Sequence, residues 1–355
     1  MSSLRLTENA PLVARNTFRV PATASLFAEV RDRAALDELL GYASLRNGPL
    51  LVLGEGSNLL FAGDPPGLVV SIALHSITIL QRNDEDALVR ADAGVGWNDL
   101  VHWTLGHGLE GLENLALIPG NVGAAPIQNI GAYGSEVGEF IETVEAFDRD
   151  SGELRRLDRK ACAFGYRDSL FKRESARWIV IAVEFRLPFR HALRLDYAGI
   201  REELATMAVD TPRAAHVAEA VTRLRTRKLP NPALIGNAGS FFKNPQVAAE
   251  TASALQAEHP KLPIFPATNT TLRKLSAAWM IEACGWKGYR DNAPGLGDAG
   301  VSAQHALVLV NHGHATGAQL LDLARRVAAS VHDQFGVLLE PEPRIIGARF
   351  DGTPV

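Results

Sequence analysis

Leu50-Leu51-Val52-Leu53-Gly54-Glu55-Gly56-Ser57-Asn58-Leu59-Leu60 is the stretch on which the fold turns. Its four leading apolar residues read as a buried strand, and Gly54-x-Gly56 directly behind a strand invites a dinucleotide-binding fold. That fingerprint needs a third glycine where Leu59 stands, and it needs a long helix next, which the sequence does not supply. A complete G-x-G-x-x-G does occur at Gly106, Gly108 and Gly111, but it follows a helical stretch (97–105) instead of a strand and is set aside. Residues 54–58 can instead turn backbone N–H groups inward as an anion nest, with Ser57 and Asn58 adding side-chain donors; a plain hairpin-like turn is the other reading.

Around this stretch lies a small α/β pattern. Residues 16–20 and 24–30 read as strands, 31–46 as a helix with Ala35, Leu36, Leu39, Leu40 and Ala43 on one stripe, and 68–72 as another strand. Residues 77–80, 87–91, 141–147 and 178–187 carry strand signals, with a helix at 97–106. From 214 the pattern changes: helices are expected at 214–227, 246–258, 270–284 and 317–335, and a strand at 306–310. Alternating prolines in Glu340-Pro341-Glu342-Pro343-Arg344 confine that run to an edge strand, with Glu340, Glu342 and Arg344 on one face.

Composition narrows the function. With 355 residues, at roughly 100–200 per domain, two or three domains are expected. A net charge of −4 argues against general nucleic-acid binding, and no run is long and apolar enough for a membrane helix. Cys162 and Cys284 have no metal or redox spacing, which points to a reduced cytoplasmic compartment. His312-Gly313-His314 has a metal-like spacing without a carboxylate or cysteine partner, so a surface turn is the better reading and no metal is expected.

Three further stretches carry chemistry. The uncharged run 114–135 contains four glycines, two prolines and three asparagines, too irregular for one element. It suits wrapping a large flat ligand, and equally a buried structural loop. Arg167, in Phe164-Gly165-Tyr166-Arg167-Asp168-Ser169, could grip a carboxylate bidentately or pair with Asp168. Gly236-Asn237-Ala238-Gly239-Ser240-Phe241-Phe242-Lys243-Asn244-Pro245 delivers Ser240 on a glycine turn, just after the cationic helix end Arg223-Leu224-Arg225-Thr226-Arg227-Lys228.

Gly54 to Asn58, Ile118-Pro119-Gly120 through Gly134, Gly165 to Ser169, Gly236 to Pro245 and Glu340-Pro341-Glu342 occur in an order and spacing that resembles the UDP-N-acetylenolpyruvoylglucosamine reductase family, in its longer subtype, over nearly the whole chain. The resemblance implies an α+β fold of three domains. Two would bind FAD in the vanillyl-alcohol-oxidase-like (PCMH-type) manner, residues 1–75 with 344–355 and residues 76–213; residues 214–343 would form the substrate domain. It implies reduction of UDP-N-acetylglucosamine enolpyruvate to UDP-N-acetylmuramate by NADPH through non-covalent FAD, in peptidoglycan precursor synthesis, by a cytoplasmic monomer without nucleic-acid or membrane partners.

By the same resemblance, Ser240 is the proton donor, Arg167 stands beside the substrate carboxylate, and Glu342 is a protonated or hydrogen-bonded polariser of that carboxylate. Gly54, Glu55, Gly56, Ser57, Asn58, Leu59, Ile118, Pro119, Gly120, Val122, Gly123, Ala124, Ile127, Gln128, Asn129, Gly131, Ala132 and Tyr133 would contact FAD. Tyr197 (in Asp196-Tyr197-Ala198-Gly199), Lys228 and Asn244 would hold the diphosphate and sugar, with Arg225 assisting. Phe265 stands where relatives often carry a tyrosine, and the family's glutamine falls at Gln304 or is replaced by His305. Another FAD-dependent sugar or alcohol oxidase of the same fold, and a non-catalytic nucleotide-sugar-binding protein, are the competing readings.

Overall fold

The computed structural model describes residues 4–42, 45, 48–267, 269–291 and 297–351. Its chain divides into two compact units, residues 1–10, 24–55 and 66–226 in the first and residues 11–23, 56–65 and 227–355 in the second.

Among the described residues the first unit holds two larger sheets and one two-stranded hairpin. One has the order Arg5–Pro11, Thr23–Val30, Leu68–Ile72, Leu50–Val52. Leu68–Ile72 runs parallel to both neighbours, with Leu26 opposite Leu68 and Leu50 opposite Leu68 on the other side. The crossover helix Arg33–Gly41 starts where the Asp32 side chain accepts from Ala35 N (2.9 Å). It buries Ala35, Leu36 and Leu39 against Val70 and Ile72. Helical character was expected as far as 46; the helix ends at Gly41, and residues 43, 44, 46 and 47 lie outside the described ones.

The second sheet is antiparallel, in the order Glu153–Asp158, Ile141–Asp148, Trp178–Pro188, Asp86–Asp92, Ile77–Arg82. Its middle strand Trp178–Pro188 is buried along most of its length. Ile179 and Ile181 face the core shared with the parallel sheet, and Val180, Val183 and Phe185 belong to the larger core under the helices Trp97–Gly106 and Ala214–Lys228. Each fully buried side chain of this size contributes ~1.5–3 kcal/mol, so this strand is the spine of the unit.

The second unit is built from short pieces. Leu59–Phe61 pairs in parallel with Arg344–Ile346, Ala299–Val301 antiparallel with Leu309–Asn311, and Leu272–Leu275 lies between Gln246–Ala248 and Ile264–Pro266. The long helix Gly317–Phe335 has a capping box from Thr316 and Gln319, and it ends at Gly336 with φ +66°. Leu320, Ala324, Val327, Val331 and Phe335 are buried along one stripe. Gly317 is obligatory, because a Cβ there would sit 1.6 Å from the Phe61 carbonyl oxygen.

Five expectations need correction. Residues 16–20 form no strand: the Asn16 side chain donates to the carbonyls of Leu12 (2.8 Å) and Val20 (3.0 Å), and Arg19 has φ +55°. The helices expected at 246–258 and 270–284 each begin as strands, Gln246–Ala248 and Leu272–Leu275, before the helices Ala249–Glu258 and Ala277–Ala283. The strand expected at 306–310 lies at Leu309–Asn311. Residues 340–343 form no regular edge strand. Pro341 makes a single bridge to Phe242, and strand geometry begins only at Arg344, so the shared face of Glu340, Glu342 and Arg344 is not that of one strand.

Candidate functional site

In the first unit the candidate site is built on the uncharged loop 114–135. Along 114–135 Asn114 and Asn129 are 1% and 2% exposed and Asn121 and Gln128 are half-buried; Leu115, Ala116, Val122 and Ala125 are buried, whereas Leu117 and Ile127 are 36% and 37% exposed. Leu117 and Ile127 thus present aliphatic surface on a loop that carries no charge. The arrangement fits a flat, partly apolar ring system such as the isoalloxazine of FAD.

Backbone bonds hold the loop in place. Val122 N donates to Val95 O (2.8 Å), Gly123 N to Ala93 O (2.9 Å) and Trp97 N to Gly120 O (2.8 Å). Val122 is buried and Ala124 exposed, with Ile118 and Gln128 between these extremes and Pro119 exposed. Gly123 packs so closely that a Cβ would meet the Ala93 Cβ at 2.6 Å. The Asn129 amide donates to Glu136 Oε2 (2.8 Å) and Gly165 O (3.1 Å), and its oxygen accepts from Gly138 N (2.8 Å). Asn129 is therefore a clasp inside the loop.

The Gly54-x-Gly56 turn abuts this loop through Gly54 and Glu55. Glu55 Oε2 accepts from Gly120 N (2.9 Å), and a Cβ at Gly54 would stand 2.5 Å from Asn121 Oδ1. Gly56 has φ +66° and approaches the Arg15 carbonyl so closely that a Cβ would lie 2.2 Å from it. Ser57 and Asn58 are half-buried, and Leu59 is buried at the start of its strand.

Gly131–Ala132 and Ser135–Glu136 form a two-residue hairpin, with Tyr133 at φ +48° and Gly134 at φ +83° as its turn. Positive φ at both central residues is the type I′ geometry that matches strand twist. Arg167, itself at φ +53°, reaches the hairpin through Nη2 to Gly131 O (2.7 Å), while Asp168 pairs with Arg173. Ser169 Oγ donates to Ile127 O (2.6 Å), so the 165–169 turn is fastened to the loop at both ends. Arg225 Nε donates to Leu117 O (3.2 Å); burial pushes its pKa down, with Arg167 adding to the effect and Tyr133 opposing it. Tyr197, 50% exposed, stacks edge-on against Tyr133 with ring centroids 4.9 Å apart.

In the second unit, residues 240–243 lie as an extended segment between two others. Phe241 N donates to Leu307 O (2.7 Å), Glu342 N to Phe241 O (2.7 Å) and Lys243 N to Glu340 O (3.0 Å). This places half-buried Ser240 and Glu342 on adjoining segments. Phe241 and Phe242 are buried beneath, 5.1 Å apart edge to face, with Phe18 behind Phe241.

Asn237, 2% exposed, builds the turn that precedes Ser240. Its amide donates to Pro230 O (3.0 Å) and Ile235 O (2.8 Å), and its oxygen accepts from Gly239 N (3.0 Å). Sequence reasoning missed it, although an asparagine two residues before a glycine at positive φ is the signature of such a turn. Lys243 Nζ pairs with Glu340 Oε2 (2.8 Å), which accounts for a residue the motif left unassigned.

Asn244 Oδ1 accepts from Ala277 N (3.1 Å), at the start of the helix Ala277–Ala283. Lys228 is exposed at the end of its helix, and Phe265 is 43% exposed on the strand opposite Lys274. Gln304 is exposed, whereas His305 is half-buried, its Nδ1 accepting from Leu307 N (3.3 Å). Burial pushes the His305 pKa down, as do Lys228 and Lys287, against Glu282. His312 and His314 are exposed in a turn, and among the described residues no group of three metal-ligating side chains forms. No helix among them is long and apolar enough to cross a membrane.

Residues 24–158 match the family described as FAD binding domain, and residues 231–346 match UDP-N-acetylenolpyruvoylglucosamine reductase, C-terminal domain. The UDP-N-acetylenolpyruvoylglucosamine reductase of Xanthomonas euvesicatoria pv. vesicatoria (strain 85-10) is 57% identical over 346 residues, covering 98% of this chain and 97% of the relative. That of Xanthomonas campestris pv. campestris (strain B100) is 56% identical with the same coverage. A crystal structure of UDP-N-acetylenolpyruvylglucosamine reductase from Thermus caldophilus superposes with a TM-score of 0.65 at 25% identity, covering 98% of this chain and all of that one. With a flavin-type loop, a serine turn and end-to-end similarity of this extent, the chain belongs to the UDP-N-acetylenolpyruvoylglucosamine reductase family, whose fold is α+β and whose cofactor is FAD.

Proposed function

We propose that Ser240 gives the proton in the reaction of this family, the NADPH-dependent reduction of UDP-N-acetylglucosamine enolpyruvate to UDP-N-acetylmuramate for peptidoglycan synthesis. The observation that carries the reading is the turn itself: Gly239 at φ +69°, fixed by Asn237, precedes a serine whose neighbours are bonded on both sides. When bound, FAD reduced by NADPH supplies the hydride to the terminal alkene carbon. Negative charge then develops on the adjacent carbon and its carboxylate, and this chain's residues must hold that charge and deliver a proton.

Arg167 supplies a planar cation for the carboxylate, its side chain already steadied by Gly131 O. Glu342 contributes a hydrogen bond to the same carboxylate. Lys228, Asn244 and Tyr197 hold the diphosphate and sugar, with Arg225 assisting; the Asn244 oxygen is used by Ala277 N, so its amide nitrogen is the donor. Phe265 offers ring contact in place of a hydroxyl, and Gln304, or His305 in its place, takes the glutamine's role. Gly54 to Leu59, Ile118 to Gly120, Val122 to Ala124, Ile127 to Asn129 and Gly131 to Tyr133 line the cofactor. The functional domains are 1–75 with 344–355, 76–213 and 214–343, and the enzyme works as a cytoplasmic monomer.

Stopped-flow absorbance of the holoenzyme tests this. Flavin bleaching by NADPH should survive in Ser240→Ala, and recovery on adding the UDP-enolpyruvyl sugar should slow by about 10²–10⁴, the usual range for a general acid. Equal losses in both half-reactions would remove the proton-donor role. Reoxidation of the unaltered enzyme by dioxygen faster than by the sugar would favour an oxidase.

A further inference from the structure

Residues 194–197 are fastened to the hairpin 131–136 by contacts that the chemistry does not use. Arg194 Nη1 donates to Gly134 O (2.8 Å) and to Glu139 Oε1 (2.8 Å), and Nη2 meets the second Glu139 oxygen. Asn114, 1% exposed, donates from one amide nitrogen to Tyr133 O (2.9 Å) and Arg194 O (3.0 Å). The Tyr133 and Tyr197 rings complete the join, 4.9 Å apart. Glu139 is itself set by accepting from Glu136 N (3.0 Å), within the hairpin's second strand. Burial works against ionising Glu139, but the Arg194 and Glu136 hydrogen bonds outweigh it and hold its carboxylate below the usual range.

We propose that Arg194, supported by Asn114 and Glu139, is a positioning residue that holds the Tyr197 segment against the cofactor hairpin in its substrate-ready arrangement. The inference rests on reading Tyr197 as a sugar-nucleotide contact and residues 131–133 as a cofactor contact. Tyr197 is half exposed and Gly199, two residues on, has φ +99°, so without the clasp this stretch would have to be ordered at each binding event. Ordering backbone costs free energy that a pre-set loop saves. A bidentate guanidinium that also meets a backbone carbonyl fixes direction as well as distance. Because Arg194 and Glu139 are 36% and 40% exposed, their pair adds little to overall stability, and its loss should leave the fold intact.

The test compares FAD-loaded unaltered protein with Arg194→Met, Glu139→Gln, Tyr197→Phe and the double variant Arg194→Met/Tyr197→Phe. Titration calorimetry with UDP-N-acetylmuramate gives Kd, and stopped-flow gives flavin reduction by NADPH. Arg194→Met and Glu139→Gln should each weaken Kd about fivefold to twentyfold, a coupling of ordinary size, and leave flavin reduction within twofold. The double variant should be about as weak as its weaker parent, since Arg194 acts through Tyr197. Kd unchanged in the Arg194 and Glu139 variants but raised in Tyr197→Phe would overturn the clasp and keep Tyr197 as a contact. Multiplying effects in the double variant would overturn the clasp as well. An unchanged Kd in Tyr197→Phe would overturn the substrate reading of Tyr197 and the inference with it.

Discussion

Replacing Asn237 by alanine should unfasten the serine turn without touching a reacting group. The substitution strips one donor pair and one acceptor from a site that is 2% exposed, leaving Pro230 O, Ile235 O and Gly239 N without those partners. At about 1 kcal/mol net per hydrogen bond, and about 1–3 for each buried group left unsatisfied, the loss is about 3 kcal/mol if water reaches part of the gap. For a domain of about 150–250 residues that is a fall in Tm of about 6–12 °C, at about 2–4 °C per kcal/mol. Asn237→Asp keeps the acceptor for Gly239 N but turns a carboxylate oxygen toward two carbonyls, and should be at least as damaging. Thermal unfolding by circular dichroism measures stability, and stopped-flow at a temperature where the variant is folded measures chemistry. Recovery of flavin absorbance by the sugar substrate should slow more than bleaching by NADPH, because the turn delivers Ser240. A Tm within 2 °C of the unaltered protein, or equal slowing of both steps, would refute the reasoning.

Arg167→Lys should slow the sugar-dependent step about 10- to 100-fold in stopped-flow while leaving NADPH bleaching intact, since a point charge cannot reproduce the planar fork; unchanged turnover would remove Arg167 from the carboxylate site. Burial pushes the Cys162 thiol up to about 12, with Asp158 adding to the shift. Its thiolate at pH 8 should then be about a thousandfold scarcer than that of an ordinary cysteine, and iodoacetamide labelling followed by mass spectrometry should modify Cys162 only after unfolding. The fold favours the neutral thiol, so this stabilisation is present below the ordinary thiol range and is lost as pH rises through about 12.

The central strands of the antiparallel sheet were legible from the sequence: Asp86–Asp92, Ile141–Asp148 and Trp178–Pro188 lie within a residue of where their apolar runs place them. Arg5–Pro11 was not, because as an exposed sheet edge it carries no apolar alternation. Leu272 and Leu275 stand three apart, a spacing that serves a helix as well as a four-residue strand, and Ser276 is the cap that separates the two elements. At the site, the glycine turns could be read because their conformations demand glycine. Which asparagine turns inward could not: Asn129, Asn237 and Asn244 look alike in sequence, and only packing commits each amide. Arg194 carried no local signal, because its partners Gly134 and Glu139 lie at least 55 residues away.

The second unit is assembled from residues 11–23, 56–65 and 227–355, and its parallel pair joins Leu59–Phe61 to Arg344–Ile346. A ribosome must therefore have polymerised residue 346 before Leu59–Phe61 can find its strand partner. Residues 1–10, 24–55 and 66–226 suffer no such delay, so the two units close in a fixed temporal order during synthesis. Until then Leu59, Leu60 and Phe61, all buried in the finished protein, form a sticky hydrophobic stretch awaiting its neighbour. A nascent chain stalled before residue 317, ahead of both the helix that packs on Phe61 and the strand that pairs with it, should keep those residues open to chaperones and proteases.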